Sequence, residues 1–403
     1  MYTLQDLFEV TPILDTVCLH LELPDIFALK RSSRSFTWIL DSFYKRRWSV
    51  NRYLRRFVTD PTALRSQLAK DNAVIAGGFA LQFFANAVWR DSDLDIYVEY
   101  SLEQTSKAEI GGYLREYEGY KLEGSIVYPT HRKVLTTYVR TNPSTGFSSK
   151  INLIHTIDPP VLHILTNFCT TATVNFIAWN KAYCIFPDST FLHKTSYQLN
   201  QEVNDSNGPY LAKLRRRGWM TLQTQWKEYE RSTSSVSNSR RLSRRIGDAM
   251  TWKLTLDTAG VTPPQMPDYV LEQTHFSIRR REDRTLPGNN GSHYEIHAQR
   301  FVSYVLRHTY IAESLKGKDF WCDFLGPKLD ELTRLEFLGV EPELRPEWLR
   351  LGNEAGGAEA MTRQYRYLDT DGFERGDLWT YWDHMVPKWH EIWCQEWEKR
   401  GPA

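Results

Sequence analysis

AGGFALQFFANAVWRDSDLDIYVEY, residues 76–100, is the stretch whose reading decides the fold. Its hydrophobic period changes twice. AVIA (73–76) is a short apolar strand, Gly77-Gly78 a turn, 79–89 a helix, and DLDIYVEY (93–100) a second strand. Alternate side chains of a strand share a face, so Asp93, Asp95, Tyr97 and Glu99 point one way. Leu94, Ile96 and Val98 point the other way, where they can enter a core. The carboxylates of Asp93 and Asp95 start roughly 7 Å apart along the strand. They can converge on one hard cation, which takes oxygen ligands and offsets their repulsion. Gly77-Gly78, between strand and helix, permits a tight turn and close approach of a phosphate to backbone N–H groups.

The texture on either side of this block is α/β. A helix is expected over 102–117, strands over RKVLTTYVR (132–140) and SKINLIHT (149–156), and further strands over ATVNFIAW (172–179) and KAYCIF (181–186). Gly77-Gly78, a helix and then Ser92-Asp93-Leu94-Asp95-Ile96 resemble the signature of the DNA polymerase β-like nucleotidyltransferase superfamily. The resemblance covers about 130 residues and implies transfer of a nucleotidyl group from an NTP, with magnesium or manganese holding the triphosphate and activating a hydroxyl. It implies phosphate binding by Gly77, Gly78 and Ser92, and metal-ligating, catalytic roles for Asp93 and Asp95. Family members that are active add a third carboxylate from a neighbouring strand. Here SKINLIHT offers Asn152, which binds metal weakly and cannot serve as a base; Glu99 lies too far along its own strand and Asp158 beyond a strand end. The segment from Gly78 to Asp93 is also long for the family. The bland alternative is a chance Gly-Gly followed by two aspartates that merely solvate a strand edge.

Residues 4–70 carry helical spacings throughout, with Pro12 and Pro24 suited to first turns. Residues 12–48 resemble an F-box: Pro12, Ile13, Leu14, Val17, Leu21, Asp25, Ile26, Leu29, Ser33, Phe36 and Trp48 can be placed on it, although its opening Leu-Pro-x-Glu is imperfect. That resemblance implies docking onto a Skp-type adaptor of a cullin ubiquitin ligase. The same apolar stripe serves equally well to pack against the chain's own α/β domain. An F-box-like start before a nucleotidyltransferase-like centre resembles fungal proteins of that layout, which implies architecture alone; Asn152 and the F-box-like start together suggest an adaptor that binds a nucleotide or partner with weak or no catalysis. The alternative is an active magnesium-dependent enzyme acting on a protein, RNA or small molecule.

The whole chain bounds these readings. Its 403 residues call for two or three domains, and 41% apolar with 25% charged residues is an ordinary globular balance. A formal charge of +1 gives no global attraction to nucleic acid or membrane. The five cysteines are scattered, without a CxxC pair, and MYTLQDLFEV lacks the basic start of a secretory signal. No apolar run reaches the length of a membrane span. The expected location is therefore cytoplasmic or nuclear.

Residues 210–246 hold ten Lys/Arg, from Lys213 to Arg245, against two acids, with Trp219 and Trp226 interleaved. This reads either as an RNA-binding surface over 213–245 or as a solvated basic linker. Arg279-Arg280-Arg281 is a second basic cluster. His293, Glu295 and His297, expected on a helix, form either a metal pair or a surface pair. Seven of the fourteen tryptophans fall after 320, and the run from Trp379 to Trp397 has helical spacing suited to a packed face, with a break at Pro387.

The expected architecture is α+β. It comprises a helical F-box-like module (1–70), a nucleotidyltransferase-like domain with a mixed sheet (71–230), a basic linker and connecting segment (231–290), and a mostly helical Trp-rich region (291–403).

Overall fold

A computed structural model of the chain describes residues 4–21, 23–34, 47–100, 109–128, 133–141, 146–200, 207–222, 226, 243–282, 292–314, 320–345, 373 and 375–400. It is α+β and divides into two compact units, one of residues 1–223 with 249–265, the other of 224–248 with 266–403. Among the described residues no helix is long and apolar enough to cross a membrane.

The first unit is built on an eight-stranded mixed sheet. In chain order its strands are β1 (Val74–Ala76), β2 (Leu94–Glu99), β3 (Lys121–Tyr128), β4 (Lys133–Thr141), β5 (Ser148–Thr156), β6 (Asn175–Ile177), β7 (Lys181–Cys184) and β11 (Trp252–Thr255), while β8 (Thr195–Tyr197) and β9 (Met220–Leu222) form a separate pair. The spatial order is β11-β7-β6-β1-β2-β5-β4-β3. Only the central pair, β2 and β5, runs parallel; the other neighbours are antiparallel. The alternation read in DLDIYVEY holds. Leu94, Ile96 and Val98 are buried in one core with Phe79, Phe83, Ile110, Leu114, Ile151 and Leu153.

Trp48, Val50, Tyr53, Leu54 and Phe57 belong to that same core. Trp48, the aromatic end of the F-box-like pattern, donates its indole N–H to the Phe84 carbonyl at 3.2 Å and meets Trp252 edge to face. Nearer the start, Leu14 is buried while Ile13 is 39% exposed. Phe36 and the side chain of Ile26 lie outside the described residues.

The helix after Gly77-Gly78 runs Gly77–Phe84 and stops short of Trp89. Asn86, at φ +49°, takes the left-handed conformation that ends helices and releases the chain into a loop. β3 is a strand that sequence reading passes over. It lies at the sheet edge with Leu122, Ile126 and Val127 all exposed, so no face of it alternates.

The second unit holds β10 (Ser243–Arg245), β12 (His275–Glu282) and β13 (Ser292–His297) in one sheet, with β14 (Gln299–Phe301) paired to β15 (Tyr310–Ala312). Strands therefore occupy much of 243–297, where a linker and then a helix are expected. His293 and His297 share a face in a strand as in a helix, which explains the misreading. Helices Trp321–Leu338 and Val386–Arg400 follow. Trp389 and Trp393 are buried in their common core, as the helical spacing predicts, and Trp321 joins them. Pro387 falls in the first turn of the last helix and starts it instead of breaking it.

Candidate functional site

Register carries the site. Asp95 on β2 pairs with Ala76 on β1 to one side and Asn152 on β5 to the other, and Asn152 pairs in turn with Thr137 on β4. A polar row thus crosses the sheet on the face opposite the hydrophobic core. Asn152 Nδ2 donates to Asp95 Oδ1 at 2.8 Å and reaches Asp93 Oδ2 at 3.5 Å. Its Oδ1 accepts from Thr137 Oγ1 at 3.1 Å. The two aspartates, a strand step of two apart, are drawn to one amide.

Farther along the same face Tyr97 is buried, its ring 5.9 Å from His163 and 5.7 Å from Phe168. The helix Pro160–Asn167 covers that end, while Asp93 and Asp95 stay half-buried. Both carboxylates are held above their ordinary range. Burial is the main cause for Asp93, opposed by Lys150, Asn152 and Lys213. For Asp95 burial, joined by the charge of Asp93 and opposed by the Asn152 hydrogen bond, pushes the group up to about 6. Lys133 is lowered by burial, against the pull of Asp95.

Gly77 is fixed by contact as well as by conformation. Its φ is +69°, and a Cβ there would stand 2.8 Å from Asp95 Oδ2. The carboxylate therefore rests against bare backbone. At Gly78 a Cβ would lie 3.1 Å from Ser92 Oγ and 3.8 Å from a terminal nitrogen of Arg217. No side chain caps the start of the helix Gly77–Phe84. Gly77, Gly78, Ser92, Asp93 and Asp95 are thus brought together, as their spacing predicts.

Two further residues come to the same place from the basic stretch. Lys213 lies in the helix Gly208–Arg216 and Arg217 at its end. Lys213 Nζ is 3.3 Å from Asp91 Oδ2, and Arg217 donates to Asp91 Oδ1 at 2.9 Å. The Arg217 guanidinium also lies 3.9 Å above the Trp89 ring. Charge density was the only sequence signal for them, and it does not say which two of ten cations meet the site. Trp219 and Trp226 are both buried, Trp219 donating to the Thr190 carbonyl, so neither indole face is open to a base. Arg244 is buried in an ion pair with Asp248. Arg231, Arg240 and Arg241 lie outside the described residues.

The donor set suits one divalent cation. Two raised carboxylates side by side on a half-open face are what such an ion would discharge. Among the described residues no group of three His, Cys, Asp or Glu is placed to hold a metal. The residue that β5 sets beside Asp95 is the amide Asn152, not another carboxylate. In the other unit Glu295 lies on one strand between His293, at 3.4 Å, and His297, at 3.7 Å.

No protein-family profile matches the chain, and no curated protein is similar to it in sequence. Among solved structures it is similar to a CCA-adding enzyme in apo form, at 16% identity and a TM-score of 0.28, over 48% of this chain and 46% of that one. It is also similar to a CCA-adding enzyme in complex with CTP, at 18% identity and a TM-score of 0.21, over 32% of this chain and 28% of that one. The chain spans less than half the length of either.

Proposed function

We propose that the sheet-bearing unit binds a nucleoside triphosphate with one Mg2+ or Mn2+, and transfers the nucleotidyl group weakly or not at all. The observation that supports this is the convergence of Asp93 and Asp95 on one amide, beside a turn at which Gly77 leaves no room for a side chain. The two carboxylates would hold the cation, whose contribution is to neutralise phosphate charge. The Gly77–Gly78 backbone and Ser92 would receive the phosphates. Asn152 orients both aspartates by donating to them, but an amide cannot take a proton from an attacking hydroxyl.

Thermal-shift titration with each NTP plus Mg2+ or Mn2+, in wild type and in an Asp93→Asn/Asp95→Asn variant, tests the binding. At about 100 times its dissociation constant a ligand stabilises the fold by about 2.7 kcal/mol. A shift in wild type that disappears in the variant is expected. No shift with any NTP would reject the reading. Label passing from an NTP to a protein, RNA or small-molecule acceptor would replace weak transfer by true catalysis.

A further inference from the structure

Asp91 has no place in the metal pair, yet two cations are committed to it. It is 68% exposed at the rim, and each of its oxygens is held by a different residue, Oδ2 by Lys213 and Oδ1 by Arg217. The two cations differ in exposure, Lys213 at 37% and Arg217 far less. The Arg217 side chain is only 11% exposed, flattened on Trp89 and lying over Gly78. The charge of Lys213 reaches both Asp93 and Asp95, favouring their ionised forms. Gly78 lies close to both Ser92 and Arg217, and its neighbour Gly77 close to Asp95.

A single carboxylate bridging an ammonium and a guanidinium imitates what a phosphate group would do there. Arg presents a planar fork matched to carboxylate and phosphate alike, and Lys a point charge. A triphosphate brings several negative charges and more acceptor oxygens than one aspartate.

We propose that Asp91 is a built-in competitor for the triphosphate: it holds Lys213 and, over Gly78, Arg217, and releases them to the phosphates when nucleotide binds. This inference rests on the nucleotide-binding reading of the same site. It assigns the phosphate-binding cations to a helix more than a hundred residues downstream of the aspartates. It also makes Asp91 the residue that sets affinity, in the direction opposite to the other acids of the site. Asp93 and Asp95 support binding of the metal–nucleotide complex, whereas Asp91 opposes it.

The test is calorimetric titration of the full chain with ATP·Mg2+, and separately with inorganic pyrophosphate without metal. Wild type is compared with Asp91→Asn, Lys213→Ala, Arg217→Gln and Asp93→Asn/Asp95→Asn. Asp91→Asn keeps the shape of an exposed side chain and so leaves folding intact. It is expected to tighten both ligands about tenfold, the equivalent of 1.4 kcal/mol. Lys213→Ala and Arg217→Gln should each weaken pyrophosphate binding about tenfold or more. The double aspartate variant should lose ATP·Mg2+ and keep pyrophosphate. Unchanged or weaker binding in Asp91→Asn overturns the proposal, as does pyrophosphate affinity indifferent to Lys213 and Arg217. If ATP·Mg2+ does not bind wild type but pyrophosphate does, through these two cations and more tightly in Asp91→Asn, the nucleotide reading fails while the competitor role stands. Binding of neither ligand to any variant overturns both.

Discussion

Two acidic sites in the sheet-bearing unit, the buried Glu118 and the half-buried pair Asp93 and Asp95, have opposite surroundings. Glu118 is saturated. It accepts from the backbone N–H of Thr59 (2.7 Å) and Asp60 (3.1 Å), the hydroxyls of Thr59 (2.9 Å) and Tyr113 (2.7 Å), and Arg140 (3.1 Å). Although burial alone would raise its pKa, these donors bring it below the ordinary value. Asp93 and Asp95 share one amide donor, and both are raised by burial, Asp95 also by the charge of Asp93. Glu118 completes the fold, tying residues 57–60 to β4. The aspartate pair leaves a charge deficit that a cation would fill.

The largest test of that contrast is at Glu118. Its removal leaves two backbone amides without their acceptor and takes the counter-charge from Arg140, which keeps the Glu118 and Phe57 carbonyls. Glu118→Ala should destabilise the unit by about 3 to 5 kcal/mol in urea unfolding. Loss of under about 1 kcal/mol would make it a surface acid like any other.

Gly77→Ala comes next. A left-handed φ costs an L residue about 1 to 2 kcal/mol, and the new methyl would displace the Asp95 carboxylate from 2.8 Å. The variant should lose about 2 to 3 kcal/mol in the same assay. It should also lose the nucleotide-dependent thermal shift. A variant that folds and binds normally would show that the close approach has no functional meaning.

Asp95→Asn carries the opposite sign. With a folded pKa of about 6 against an unfolded 3.8, Asp95 binds its proton more tightly in the native state. Its effect on stability is most favourable below pH 4 and declines as pH rises through 6. Glu118, with a depressed pKa, contributes fully above about pH 4.5 and fades as pH falls through its folded value. Metal-free wild type should therefore lose stability between pH 4 and 6 on account of Asp95. Asp95→Asn should flatten that slope and gain about 2 kcal/mol at pH 7. An unchanged slope would mean that Asp95 is solvated like any surface acid. The smallest effect is expected at Lys150, whose pair with Glu123 is exposed on both sides (3.1 Å). Lys150→Gln should stay within about 0.5 kcal/mol of wild type.

The halves of this comparison were unequally legible in the sequence. Asp93, Asp95 and the Gly77-Gly78 turn are local, and the period of two places the aspartates on one face without knowledge of any partner strand. Asn152 was legible as an anomaly, since β5 alternates cleanly around it. Glu118 was not legible at all, because its donors come from Thr59, Asp60, Tyr113 and Arg140, which meet only in three dimensions. Lys213 and Arg217 were hidden among eight other cations for the same reason. β11 joins the sheet from beyond residue 250 by pairing with β7, a contact that no local period announces.

The most direct measurement of the central claim is a Mn2+ titration followed by electron paramagnetic resonance, on wild type and on Asp93→Asn/Asp95→Asn, with ATP present. One bound Mn2+ per wild-type chain, absent from the double variant and bound more tightly when Asn152→Asp adds a third carboxylate, is the predicted result. Equal Mn2+ binding by wild type and double variant, or none by either, would contradict it.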